Sequence, residues 1–525
     1  MRKGRPSRRA FLIALVACVL GAGIPLASAS PARAAGPPLP SSDPFYAYNG
    51  PLAGIAPGTV LRTRTVQVAE GGTATPLRAS QVLYRTTGEL GAPTVTVATI
   101  LRPAVPLPAP RIVAYQTAYD ALGSECDPSY TLRGGNPGYS TAQDEEQVIL
   151  AYVAAGYTVV VPDYESVQLD WGAGQESGYG TLDGIRAAER FLRLPAASTP
   201  VGMVGYSGGS IATEFAAELA PGYAPELHIV GAAAGGVPVD FFHNLAYING
   251  SPSWSGVIPA VLVGLGRAFS VNFDRYLSPY GVQVTHQVKD QCINSFLGAY
   301  PGLTYQKLLR PRFSNIYAIP VFVRTLDRLI MGRSGTPKGP LLLAVGNADG
   351  TGDGVMVARD VQALAYTYCR RGVSVQFNEY GGDDHTHAAV PFEQAAFTFL
   401  AARLHGQAVA DGCPKIAPGN SLAPLPVPSG AHRHRARVRL RYLGRRAHGH
   451  AIAVELWSAH GTLRGVEVVL RHGVSLVAES AVQRLGPRGH VLVLRDRRHR
   501  LAPGRYTLVV AHGHRRLLVR SVRVR

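Results

Sequence analysis

Ser207 lies in Gly205-Tyr206-Ser207-Gly208-Gly209, a G-x-S-x-G pattern that lifts a hydroxyl on a sharp strand-to-helix turn. A serine hydroxyl is a weak nucleophile at neutral pH. To attack an acyl carbonyl it needs a histidine base, which a carboxylate must orient. Later in the chain, His385 and His387 are candidate bases, and Asp349 and Asp353 are candidate carboxylates in the loop Gly346-Asn347-Ala348-Asp349-Gly350-Thr351-Gly352-Asp353. The pentapeptide alone is weak evidence, because glycine-rich turns with a serine are common. Serine, then aspartate, then histidine in chain order is far more specific.

These side chains need elements that bring them together. Residues 201–204 read as a strand entering the Ser207 turn, and 211–219 as the helix leaving it. Short apolar, β-branched runs at 80–85, 94–101, 111–116, 157–161, 228–234, 341–345 and 373–380 read as further strands. Helical patterning covers 143–155, 181–194, 358–370 and 391–404. Such alternation predicts an α/β fold whose mostly parallel sheet is covered on both faces. Asp349 sits at the usual distance beyond the 341–345 strand, while Asp353 directly precedes Val355-Met356-Val357; His385 is nearer its strand than His387. The Gly/Asp loop has only two carboxylates, too few for a calcium shell. From about 237 to 336 the alternation breaks into an aromatic-rich insertion, expected to cap the site. Residues 37–65 read as a Pro-rich wrapping segment.

The chain has 525 residues, 46% hydrophobic and 16% charged, which indicates a globular protein rather than a disordered one. Residues 1–34 read as a signal peptide: Arg2, Lys3, Arg5, Arg8 and Arg9, an apolar run at 11–20, and A-x-A sites at Ala27-Ser28-Ala29 and Ala32-Arg33-Ala34. Ser7-Arg8-Arg9-Ala10-Phe11-Leu12 is similar to a twin-arginine export signal. Leu15-Val16-Ala17-Cys18 resembles a lipoprotein box, but the apolar run continues past Cys18. No later stretch is apolar for long enough to span a membrane. Cys126, Cys292, Cys369 and Cys413 remain after the leader, an even number that in an exported chain implies two disulfides with three possible pairings. They are too scattered for a zinc site.

The formal charge is +18, unevenly spread. Residues 431–525 carry 21 Arg, no Lys and 4 acids, a net +17; the leader to Arg33 carries +6; the body between is left at −5. A Pro-rich linker is expected over 417–435 and a basic, β-rich accessory domain over 436–525, with strands at 437–442, 451–456, 466–470, 491–494, 506–510 and 517–522 spaced as in a small β-sandwich. Its aromatics are Tyr442, Trp457 and Tyr506, thin for base stacking, so nucleic acid is not the expected partner. The alternatives are a solvated basic face and a contact with anionic cell-envelope polymer or lipid.

The elbow together with Phe215-Ala216-Ala217-Glu218-Leu219-Ala220-Pro221, Val230-Gly231-Ala232-Ala233, Leu182-Asp183-Gly184-Ile185-Arg186-Ala187, Tyr115-Gln116 and Cys126-Asp127-Pro128-Ser129-Tyr130 resembles the Candida-type secretory lipase family, over about residues 40–415. That resemblance implies an α/β-hydrolase fold at 35–416 with a helical cap, acting on acylglycerols and other esters without cofactor or metal. It implies Ser207 as nucleophile, His385 rather than His387 as base, and Asp353 rather than Asp349 as the orienting acid. It further implies an oxyanion hole from the backbone N–H groups of Asp120 and Gly208, and the pairs Cys126–Cys292 and Cys369–Cys413. The expected function is a secreted serine ester hydrolase, a triacylglycerol lipase working through an acyl-enzyme on lipid or other ester substrates. The alternatives are a carboxylesterase on short soluble esters and an envelope-binding protein with an inactive hydrolase body.

Overall fold

The computed structural model describes residues 36–428 and 438–524, apart from 72, 136–140, 314 and the short stretches 447–448, 459–462, 473–474, 497–499 and 513–514. The leader expected at 1–34 lies outside the described residues, as does the junction at 429–437, which holds the end of the expected linker.

In chain order the larger part contains β1 (Val60–Glu70), β2 (Thr73–Thr87), β3 (Pro93–Leu101), β4 (Ile112–Gln116), α1 (Pro128–Thr131), α2 (Glu146–Ala154), β5 (Thr158–Pro162), α3 (Gly174–Leu192), β6 (Val201–Tyr206), α4 (Gly208–Tyr223) and β7 (Ile229–Gly235). A helical insertion follows: α5 (Phe241–Tyr247), α6 (Val257–Ala268), α7 (Pro279–Val288), α8 (Ile293–Phe296), α9 (Tyr305–Leu308) and α10 (Pro320–Leu326). The alternation resumes with β8 (Leu341–Asn347), α11 (Ala358–Arg370), β9 (Val375–Gly381) and α12 (His385–Leu404).

The nine strands form one sheet in the order β1-β2-β3-β5-β4-β6-β7-β8-β9. β1, β2, β3 and β5 pair antiparallel; from β5 through β4, β6, β7 and β8 to β9 every pair is parallel. Parallel strands are buried on both faces, and the alternation shows it. Ile112, Ala114, Met203, Leu341 and Leu343 enter the core under α3, α4 and α11. Val113, Tyr115, Val204, Leu342 and Ala344 enter the core shared with Ile149 of α2 and Phe392, Phe399 and Leu400 of α12. Chain order reverses around β4, whose neighbours are β5 and β6, so the carboxyl ends of the parallel strands open into the crevice where α/β sheets hold ligands.

Two of these elements depart from the expectation. β1 runs through the end of the segment read as Pro-rich wrapping; it is an edge strand, largely exposed, and lacks the apolar signal of its neighbours. The last helix starts at His385 rather than 391, because Asp384 caps it by accepting from Thr386 N (3.1 Å) and His387 N (2.9 Å). Pro391, which reads as a first-turn residue, lies inside that helix.

Beyond 438 the chain forms two antiparallel sheets: β10 (Val438–Arg446), β11 (Ala451–Ser458) and β14 (His490–Arg495) in the order β10-β11-β14, and β12 (Leu463–His472), β13 (Ser475–Leu485), β15 (Gly504–His512) and β16 (Arg515–Val524) in the order β13-β12-β15-β16. Ile452, Val454 and Leu456 of the first share one core with Val466, Val468, Leu508 and Val510 of the second. β13 is the strand missing from the sequence reading: it is an edge strand whose Ala, Ser and Glu content hides a thin buried row of Ala478, Val482 and Leu485.

Candidate active site

Ser207 follows the carboxyl end of β6 and is the N-cap of α4, with φ 51° and ψ −122°. For a residue with a side chain this positive φ is strained, and it persists because both sides of the turn are over-determined. Ser207 N donates to Gly235 O at 2.9 Å, and Ser210 N to Ser207 O at 2.9 Å. A Cβ on Gly205 would run into Gly209 O, and one on Gly209 into Gln116 O. Glycine is what lets β6, α4 and the end of β4 meet there. Thr213 Oγ1 on α4 donates to Gln116 Oε1 at 2.7 Å, which fixes the helix to β4.

His385 Nε2 lies 2.8 Å from Ser207 Oγ, and His385 Nδ1 lies 2.7 Å from Asp353 Oδ2. Asp353 is buried and its second oxygen is already engaged: Oδ1 accepts from Val355 N (3.0 Å) and Met356 N (2.7 Å). That arrangement aims Oδ2 at the imidazole. His385 is held from its backbone too, with its N–H on Asp353 O (2.9 Å) and its carbonyl accepting from the Tyr206 hydroxyl (2.6 Å). Trp254 of the insertion stands edge-on to the imidazole, ring centres 5.2 Å apart.

The two alternates lie elsewhere. Asp349 is exposed; it accepts from Tyr247 Oη (2.9 Å) and, across its own turn, from Thr351 N (2.8 Å) and Gly352 N (3.1 Å). His387 is exposed and its Nδ1 is 2.7 Å from Asp384 Oδ1.

Asp120 follows β4 and takes φ 42°. Its carboxyl is buried, and Oδ1 accepts from Trp171 Nε1 at 2.5 Å. Burial pushes this carboxyl up to about 6, against the opposing pull of the Trp171 N–H and the nearby His385. Behind Asp120 a second acidic cluster braces the loop: Glu145 accepts from Ala118 N (2.7 Å), and the Tyr115 hydroxyl lies 3.2 Å from Glu145 Oε1 and 3.1 Å from Glu393 Oε1 of α12. Burial raises Glu145 well above the usual carboxylate range and Glu393 to about 7.

Asp120, Ser207 and Gly208 open onto a mainly apolar pocket. The insertion supplies Phe241, Leu245, Ile248, Trp254, Val257 and Val261 to its wall, and the body adds Trp171, Ile211 and Met356. Such a wall suits a hydrocarbon chain better than a polar group. Both disulfides are formed: Cys126–Cys292 (Cα–Cα 5.7 Å) ties the segment after Asp120 to the insertion, and Cys369–Cys413 (Cα–Cα 5.5 Å) lies at the amino end of β9. Trp171 and Glu145 carry no motif in the sequence, Tyr206 fills an unspecified position of the G-x-S-x-G pattern, and Trp254 stands out there only as one aromatic among several.

A family model described as secretory lipase matches residues 137–412. A "Probable inactive lipase" of Mycobacterium tuberculosis is 33% identical over 370 residues, covering 68% of this chain and 80% of that protein. "Lipase A" of Arthroderma benhamiae is 32% identical over 379 residues, covering 68% and 78%. Among solved structures, Candida antarctica lipase A superposes with a TM-score of 0.68 at 27% identity, over 75% of this chain and 94% of that one. Fold and sequence agree: this chain belongs to the secretory lipase family and is a carboxylic ester hydrolase of the lipase type.

Proposed function

We propose that this protein is an exported triacylglycerol lipase that works through Ser207, His385 and Asp353 by way of an acyl-enzyme. The observation that carries the proposal is the unbroken relay from Ser207 Oγ to His385 Nε2 (2.8 Å) and from His385 Nδ1 to Asp353 Oδ2 (2.7 Å). His385 takes the hydroxyl proton as Ser207 Oγ bonds to the ester carbonyl carbon, and Asp353 stabilises the imidazolium. The N–H groups of Asp120 and Gly208 receive the charge that develops on the carbonyl oxygen. The C–O bond to the alcohol then breaks, His385 protonates the leaving oxygen, and water repeats the sequence to release the acid. The apolar cavity beside Ser207 favours a long acyl chain over acetate. Export rests on the leader-like N-terminus and the family's secretory character.

One relative is named an inactive lipase, so activity in this chain is the first thing to measure. With a chromogenic ester, wild-type protein gives a burst of about one alcohol per chain, a phosphonate labels Ser207, and Ser207→Ala abolishes both. A burst surviving in Ser207→Ala would remove Ser207 as nucleophile. Across esters of rising chain length, kcat/KM climbs, because each buried methylene contributes about 0.8 kcal/mol. A profile that peaks at acetate would identify a carboxylesterase instead.

A further inference from the structure

The C-terminal sandwich turns two unlike faces to solvent. The outer face of the four-stranded sheet exposes Leu476 and Val519 as well, 55% and 54%, but sets them among Arg471, Arg505 and Arg523 and the exposed carboxylates Glu467 and Glu479. The outer face of the three-stranded sheet is differently built. The pairing register puts Arg439 opposite Trp457, Arg441 opposite Glu455, and Arg446 opposite Ala451, which in turn faces Arg495. On the edge strand β14, Val491 and Val493 point outward from the same face and are 54% and 52% exposed. The inward-facing alternates on these strands (Leu440, Ile452, Val454, Leu492 and Leu494) fill the sandwich core, so the outward set is fixed by strand alternation. Glu455, the acid on this face, is already paired with Arg441 at 2.7 Å.

We infer that this face docks the protein on an anionic lipid surface, with Trp457, Val491 and Val493 entering the headgroup boundary and Arg439, Arg446 and Arg495 meeting lipid phosphate or carboxylate. Charge complementarity decides the sign of the partner: the 431–525 segment carries a net +17, which attracts an anionic surface by an amount that falls with salt. The exposed valines decide its class. A soluble polyanion such as nucleic acid or an acidic polysaccharide gains nothing from two solvated valines, whereas a lipid boundary removes them from water, and a tryptophan beside them suits the interface between wet and apolar layers. Lipolysis would strengthen the contact, since each ester cut leaves a fatty carboxylate at the surface. The docking itself does not depend on the proposed hydrolysis.

The test uses the full chain with Ser207→Ala, so that binding is read without cleavage of the probe. Its partition is measured by sedimentation with vesicles of phosphatidylcholine alone, with vesicles containing phosphatidylglycerol, and with duplex DNA and an acidic polysaccharide as competitors. Expected are a preference for the phosphatidylglycerol vesicles, a loss of about fivefold for each Arg→Gln change at 439, 446 or 495, and a loss of about tenfold for Val491→Ser with Val493→Ser. Val519→Ser on the opposite sheet leaves the partition unchanged, and a blue shift of tryptophan emission on binding disappears with Trp457→Phe. Equal binding to both vesicle types, an unaltered partition in the double valine variant, or a blue shift retained without Trp457 would each overturn the inference. Tighter binding to DNA or polysaccharide, indifferent to the valines, would make the face a site for soluble polyanions instead.

Discussion

The indole N–H of Trp171 donates to Asp120 Oδ1 at 2.5 Å, and Asp120 is the residue whose own N–H is proposed to meet the oxyanion. A side-chain contact thus fixes a backbone donor on a residue held at φ 42°. Trp171→Phe keeps the ring and removes the N–H. Expected is a fall in kcat of roughly ten- to a hundredfold with KM little changed, as displacement of a transition-state donor produces. The Asp120 carboxyl, already pushed up to about 6, moves higher still once the donor is gone. A kcat within twofold of wild type would show that the Asp120 amide needs no such brace.

Asp353→Asn keeps the shape of the side chain but presents the imidazole with the wrong partner, and should lower kcat by about 10³–10⁴. Asp349→Asn should change kcat by less than about threefold, because Asp349 is bonded to Tyr247 and its own turn rather than to His385. Steady-state kinetics of the two variants decide the matter, and the reverse order would exclude the relay through Asp353.

The two disulfides close loops of very different length, 166 and 44 residues. In the chain-entropy picture they contribute about 5 and about 4 kcal/mol, so Cys126→Ser with Cys292→Ser lowers Tm somewhat more than Cys369→Ser with Cys413→Ser. Only the first pair should also lower kcat, because Cys292 forms a β-bridge with Ala121, the residue after Asp120. Calorimetry and kinetics on the two double variants separate the effects.

Buried carboxyls make the protein more stable in mild acid. Burial raises Glu89 and Glu393 to about 7 and Asp120 to about 6, whereas in the unfolded chain such groups ionise near 4. Between pH ~4 and ~7 the unfolded state sheds protons that the folded state keeps, so stability falls as pH rises through that window. Each group accounts for at most ~3 kcal/mol. Melting at pH 5 should exceed melting at pH 8 by ~5 °C or more, and Glu393→Gln should narrow the gap. An equal or higher Tm at pH 8 would contradict the burial argument.

The elements at the carboxyl ends of the parallel strands were legible because their signals are local. The elbow glycines, the Asp loop after β8 and the histidine after β9 each sit at the end of an apolar run. The choice between Asp349 and Asp353 was not local: both follow β8, and they differ in which N–H groups their oxygens capture, a matter of turn geometry. The contacts of Trp171 and Trp254 and the Tyr115–Glu145–Glu393 cluster were hidden for a different reason. Each acts across the fold, between residues 30 to 278 positions apart, and no spacing rule encodes such a meeting. The edge strands β1 and β13 escaped because an exposed strand needs little apolar patterning.

The Cys126–Cys292 bridge has a mechanical consequence. Cys292 adjoins α8, whose Ile293 lines the pocket beside Ser207, and its bridge to Ala121 runs beside Asp120. Leu122 N donates to Gln291 O at 3.0 Å and extends the same seam. The wall proposed to hold the acyl chain and the amide proposed to meet the developing charge are therefore tied into one lever. A chain that fits badly would tilt the donor as well as bind weakly, so selectivity among esters should be expressed in turnover and not only in affinity.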